Sequence, residues 1–179
     1  MRTGLDAALE RACQKVDELD FSLQKRKMVE VMGWSEDAVE VMEGEYRKFL
    51  QLTAALEDIG SEVVMVPNRP IDEFWHAHIM DTEKYHADCQ SVLGRYLHHF
   101  PYLGFRDEAD IQEWRQVSAE GSAIWEEAFG EPLYGDEPDG DAYALDRKWV
   151  AELSSAIVAA KLNTAMKCVR KNCKPQKCK

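Results

Sequence analysis

Helical periodicity runs through almost the whole chain and limits the fold more than any other feature. The longest stripe is Val39, Met42, Tyr46, Phe49, Leu50, Thr53 and Leu56, spaced largely by threes and fours after Ser35, a residue suited to cap a helix start. This spacing predicts a helix from Ser35 to about Asp58 with the stripe buried. Shorter stretches precede it. Leu5, Leu9, Ala12, Cys13 and Val16 predict an amphipathic helix over residues 4–17. Another starts at Asp20 or Ser22 and passes Met28, Val31 and Met32 before Gly33-Trp34 breaks it.

Beyond Asp58, Ile59-Gly60-Ser61 ends the long helix, Glu62 to Val66 reads as a short extended segment, and Pro67-Asn68-Arg69-Pro70 reads as a turn. Pro70 suits the first turn of a following helix, where its missing N–H costs nothing. That helix is expected to carry Asp72 through Val92, with Gly94 ending it. Asp107 can cap a helix to about Phe129 whose apolar positions are Ile111, Trp114, Val117, Ile124 and Trp125. Residues 130–140 form the longest irregular stretch, and a last helix is expected from about Tyr143 to Met166. The expected architecture is mainly α: a single-domain helical bundle of about six helices over residues 1–165, followed by a flexible tail at 166–179.

The ends of the chain differ in charge. Net charge is −11, yet residues 161–179 hold seven Lys and Arg and no acid, so 15 bases face 33 acids elsewhere, a net −18. So acidic a body disfavours nucleic acid as a partner, and the basic tail has no aromatic residues for stacking on bases. The tail is better suited to docking on an acidic partner or on its own body. The N-terminus mixes acids and bases and has no apolar core of a leader peptide, and no apolar run is long enough for a bilayer. A cytoplasmic location with no membrane association is expected. In that compartment the five cysteines would serve metal or redox chemistry rather than disulfides.

All five histidines fall between His76 and His99, interleaved with Asp72, Asp81, Asp88 and Cys89. Imidazole, carboxylate and thiolate are the ligands of a transition-metal site and also the groups that move protons. On one straight helix His76 and His78 point about 200° apart, so they cannot both aim at one ion, and the HExxH spacing is absent. The expected metal ligands are therefore His78 and Asp81 from the helix, together with His98 returned by the turn at Gly94, with His76 bonded to Asp72. The alternative makes His76 the ligand and Asp72 the carboxylate that orients it. The expected metal set is thus drawn from His76, His78, Asp81 and His98. The plain alternative is packing, with His76 and His78 as hydrogen-bonded core residues beside Trp75.

The segment Pro70-Ile71-Asp72-Glu73-Phe74-Trp75-His76-Ala77-His78-Ile79-Met80-Asp81-Thr82, followed by Tyr85-His86-Ala87-Asp88-Cys89 and Leu93-Gly94-Arg95, resembles the signature of the glycine-rich domain-containing protein-like family. In its small bacterial form the match extends to His98 and Pro101 and covers roughly residues 20–105. The resemblance implies no fixed activity: the family comprises large plant proteins linked to stress and development, and small bacterial proteins. Its matched positions are Asp72, Trp75, His76, His78, Asp81, Tyr85, Asp88, Cys89 and Gly94; separately, Asp72, Tyr85, Asp88, Cys89 and His99 are expected to stand around the metal ligands and orient them. The glycine-rich tail that names the family is missing here.

In its place the chain ends in Cys168, Cys173 and Cys178, five residues apart, with Lys167, Lys171, Lys174 and Lys177 among them. Neighbouring cations favour thiolate, which binds soft metals or reacts, although the spacing is not the paired CxxC of zinc ribbons. Two functions follow from the sequence. One is a helical protein binding zinc or iron in the histidine segment. The other is a carrier or precursor whose tail cysteines are modified by a partner enzyme or pass metal to a partner protein. The sequence contains no phosphate loop, dinucleotide fingerprint or Ser-His-Asp pattern, and names no reaction.

Overall fold

The computed structural model describes residues 2–133. Six α-helices make up the described part: α1 (Arg2–Asp17), α2 (Ser22–Lys27), α3 (Glu36–Asp58), α4 (Arg69–Ile79), α5 (Thr82–Leu93) and α6 (Glu108–Phe129). A π-helical turn, Met28–Met32, continues α2. Among the described residues there is no strand, and Glu62 to Val66 pairs with nothing in a ladder. No described helix is long and apolar enough to cross a membrane. The expected helix over residues 143–166, most of the 130–140 stretch and the cysteine tail lie outside the described residues.

The helix starts follow the chemistry of their caps. Ser35 is extended, and its Oγ accepts from the Ala38 N–H at 3.2 Å, with Glu36 and Asp37 in the positive first turn. Asn68 Oδ1 accepts from Ile71 N–H at 3.0 Å, and Asp107 Oδ1 accepts from Asp110 N–H at 2.9 Å. At the other ends Gly94 and Gly130 each take φ 72, the left-handed conformation that stops a helix.

α3 is the centre of the molecule, packed against α1 on one side and α4 on the other. Val39, Met42, Tyr46, Phe49, Leu50, Thr53 and Leu56 are all buried, as the stripe predicted. Each fully buried large apolar side chain contributes on the order of 2–3 kcal/mol by leaving water. On α1 the buried face is Leu5, Ala8, Ala12 and Val16, while Cys13 is exposed. Cys13 was expected in that stripe, but it follows Ala12 by one residue and so turns about 100° away from the buried face. Val31 and Met32 also depart from expectation, being exposed, whereas Met28 is fully buried. The wider π turn changes the register there, so a stripe extrapolated at 3.6 residues per turn fails.

Arg47, reaching out from α3, closes the end of α1. Its Nη1 donates to Val16 O at 2.6 Å, its Nη2 to Leu19 O at 2.8 Å, and its Nε to Glu43 at 3.0 Å. Val16 O also accepts from Leu19 N–H at 3.1 Å, so Arg47 adds a second bond there and a bond to Leu19 O, at the end of the helix where carbonyls run out of helical partners. The same guanidinium stands over the Phe21 ring, 4.8 Å from its centre.

Candidate metal centre

The single helix expected from Asp72 to Val92 is two helices. Met80 N–H still bonds His76 O, but Asp81 N–H turns back to His78 O at 3.0 Å, three residues behind it. Asp81 then leaves helical geometry at φ −95, ψ 75, and its carbonyl accepts from Tyr85 N–H at 2.8 Å to begin α5. The Asp81 carboxylate makes no side-chain cap to α5 and accepts from Gln24 on α2 instead. The consequence of the break is large. On one straight helix His78 and Asp88 would be separated by about 15 Å of rise, yet His78 Nε2 and Asp88 Oδ2 lie 3.0 Å apart.

His78 points into the core and is 1 % exposed. Phe21 meets its ring edge-on at 5.0 Å and Tyr85 at 4.9 Å. A carboxylate only accepts, so the Nε2 facing Asp88 carries the proton, and Nδ1 accepts from the Tyr46 hydroxyl at 3.0 Å. Lys84 Nζ adds a bond to the same Asp88 oxygen at 2.7 Å. Burial pushes His78 down to about 4, against the raising effect of Asp88, so the ring is neutral at pH 7. Burial likewise pushes the Tyr46 hydroxyl well above its ordinary range.

His76, two residues earlier, faces out. It is 49 % exposed, and its Nδ1 stands 3.6 Å from Asp72 Oδ2, one turn back on α4. His99 comes to the same carboxylate from the loop after α5: its Nε2 lies 2.8 Å from Asp72 Oδ1 and its ring 4.7 Å from that of His76. Asp72, His76 and His99 each offer a ligand atom, and these atoms all lie within 4.8 Å of one another. Among the described residues this is the group able to hold a metal ion.

The residues of the sequence-derived set are thus spread over four environments. His76 meets Asp72 on the outer face as expected, and His78 lies on the inner face. Asp81 sits between the helices, where its Oδ2 accepts from Gln24 Nε2 at 3.2 Å. His98 is exposed with its ring against Tyr96, 4.9 Å between centres. His99, not His98, is the residue that returns to α4. A signal for this was present: Leu97 is apolar and buried, and in an extended loop its side is shared by residue 99 while 98 faces away. Among the residues expected to orient ligands, Asp72 and His99 belong to the group itself. Asp88 serves His78, and Tyr85 and Cys89 are buried between α4, α5 and the loop. Burial also raises the Cys89 thiol. Cys168, Cys173 and Cys178 lie outside the described residues.

Comparison with known proteins finds no match among curated proteins and none among solved structures. A family model described as UCP032817-like does match, over residues 12–117, more than half of the chain. This finding overturns the resemblance to the glycine-rich domain-containing protein-like family drawn from roughly residues 20–105. Several of the residues matched there, Trp75, His78, Tyr85 and Cys89, are buried where α4 meets α5. With its match running from the middle of α1 into α6, the chain belongs to the UCP032817-like family.

Proposed function

We propose that the chain binds one transition-metal ion, zinc or iron, through a carboxylate oxygen of Asp72 and a ring nitrogen each of His76 and His99. The observation that carries this reading is the approach of the three ligand atoms to within 4.8 Å of one another. Around a bound ion, with bonds of about 2.0–2.2 Å, such atoms stand about 3–3.5 Å apart, so closure needs side-chain movements of about an ångström. His76 is exposed enough to make them, and Asp72 already touches His99. Two imidazoles and one carboxylate are a ligand set used by zinc and by non-haem iron, and leave positions open for water or a substrate. An ion so held supplies water activation or polarisation of a bound oxygen. The family is uncharacterised and adds no activity to this site.

The test is elemental analysis of protein purified without chelator or affinity histidines, then reconstituted separately with Zn(II) and, without oxygen, with Fe(II). Close to one ion per chain is expected for one of them. A stoichiometry near zero for both overturns the proposal.

A further inference from the structure

Of the three grouped residues, only His99 is not carried by α4, so the geometry of the group depends on what holds the 95–100 loop to that helix. One buried hydroxyl bridges the two directly. Tyr85 is fully buried on α5; its oxygen accepts from Trp75 Nε1 at 2.8 Å and donates to Leu97 O at 2.5 Å. Trp75 immediately precedes His76 on α4, and Leu97 lies two residues before His99. The Trp75 ring then forms the wall on which His99 rests, edge to face at 4.7 Å, and is itself backed by Phe49 on α3 at 5.1 Å.

We infer that Trp75 and Tyr85 are positioning residues that present His99 to Asp72, fixing half of the ligand group before any ion arrives. The role in metal affinity rests on the proposed function above; the placement of His99 does not. The physical argument is preorganisation. A ligand must arrive within a few tenths of an ångström of its place, and a loop released from α4 wanders further than that. Every link from α3 to Asp72 is a packed ring or a hydrogen bond: Phe49, Trp75, Tyr85, Leu97 and His99. Tyr46 and His78 form a similar buried hydroxyl–ring pair whose rings border Phe49 and Tyr85; their hydrogen bond is not one of these links, so removing the Tyr46 hydroxyl while keeping its ring provides a control.

The experiment compares Tyr85→Phe, Trp75→Phe and Tyr46→Phe with the parent chain. Two measurements are made: ¹⁵N spectra of the histidine rings without metal, and zinc affinity by competition with a chromophoric chelator. Tyr85→Phe should release His99 from the Nε2-protonated form that Asp72 selects, and weaken zinc by about tenfold or more. Trp75→Phe, which keeps a ring at the wall and leaves the Tyr85–Leu97 bond in place, should shift the same His99 signals to a smaller extent. It also serves if Tyr85→Phe fails to fold. Tyr46→Phe should lower the denaturation midpoint but leave zinc affinity within about twofold and the His99 signals unchanged. His99 signals and zinc affinity both unchanged in Tyr85→Phe, or in Trp75→Phe if only that variant folds, would overturn the inference. If the parent chain binds no zinc, the metal reading fails on its own. The ring spectra still decide the positioning role: moved His99 signals support it, and unmoved signals overturn it.

Discussion

His78 Nε2 lies 3.0 Å from Asp88 Oδ2 across the break between α4 and α5. With Tyr46 on its other nitrogen, the ring joins α3, α4 and α5 in one hydrogen-bonded line. Removing it should therefore cost more than an ordinary core truncation. His78→Ala leaves the Tyr46 hydroxyl unpaired and opens a cavity among Phe21, Tyr46 and Tyr85, for a loss of about 3–4 kcal/mol in urea denaturation. A loss under about 1 kcal/mol would show that the line contributes little.

The same ring sets a pH dependence. Burial holds folded His78 at about 4, while an unfolded histidine titrates near 6.5. Between these values the unfolded chain binds a proton that the folded chain does not, so stability rises with pH across that window and falls on acidification. The full shift corresponds to roughly 3 kcal/mol. Asp110, held down to about 2 by Arg106, acts in the same direction at lower pH, losing its contribution below about pH 4. Denaturation midpoints measured from pH 7 to pH 4 should slope, and His78→Gln should flatten that slope. A slope that survives the substitution would assign the effect to other groups.

Substitutions should separate the outer group from its neighbours. Asp72→Asn, His76→Ala and His99→Ala each remove one proposed ligand and should weaken Zn(II) by at least about tenfold. His98→Ala and Asp81→Asn should leave affinity within about twofold, since their side chains meet Tyr96 and Gln24 instead. Calorimetric titration of the five variants checks this. Equal losses at His98 and His99 would mean that the loop rearranges around the ion.

How much of this was legible in the residues depends on the range of the interactions. The α3 stripe, the Ser35 and Asp107 caps and the Gly94 and Gly130 stops are local, and the chain folds as they indicate. The split at Met80-Asp81 was missed because helical spacing continues smoothly through Ile79, Thr82 and Tyr85. That miss governed the site. With one helix, His78 seemed able to share an ion with Asp81, whereas the break turns it to Asp88. The choice between His98 and His99 depended on the burial of Leu97, a tertiary fact hinted at only by its apolar side chain.

Arg47 should resist conservative replacement. Its fork bonds Val16 O and Leu19 O and pairs with Glu43 at once, which a lysine cannot reproduce. Arg47→Lys should destabilise by about 1–2 kcal/mol, and Arg47→Ala by about 2–3, because Leu19 O loses the Arg47 donor and Val16 O one of its two, together with the pair to Glu43. Equal stability of Arg47→Lys and the parent in thermal melts would mean that a point charge suffices.

The central place of α3 also bears on how the chain folds. This 23-residue helix is covered by α1, which precedes it closely in the chain, and by α4, which follows after a short connection. Its largest surfaces are therefore buried by the helices on either side of it in the sequence, yet the pairs that join α1 to it are far apart in the chain, Arg11 and Asp58 by 47 residues, so loop closure is part of assembling this core. The grouping of His99 with Asp72, 27 residues before it, adds a further closure, since the segment beyond α5 must return to α4.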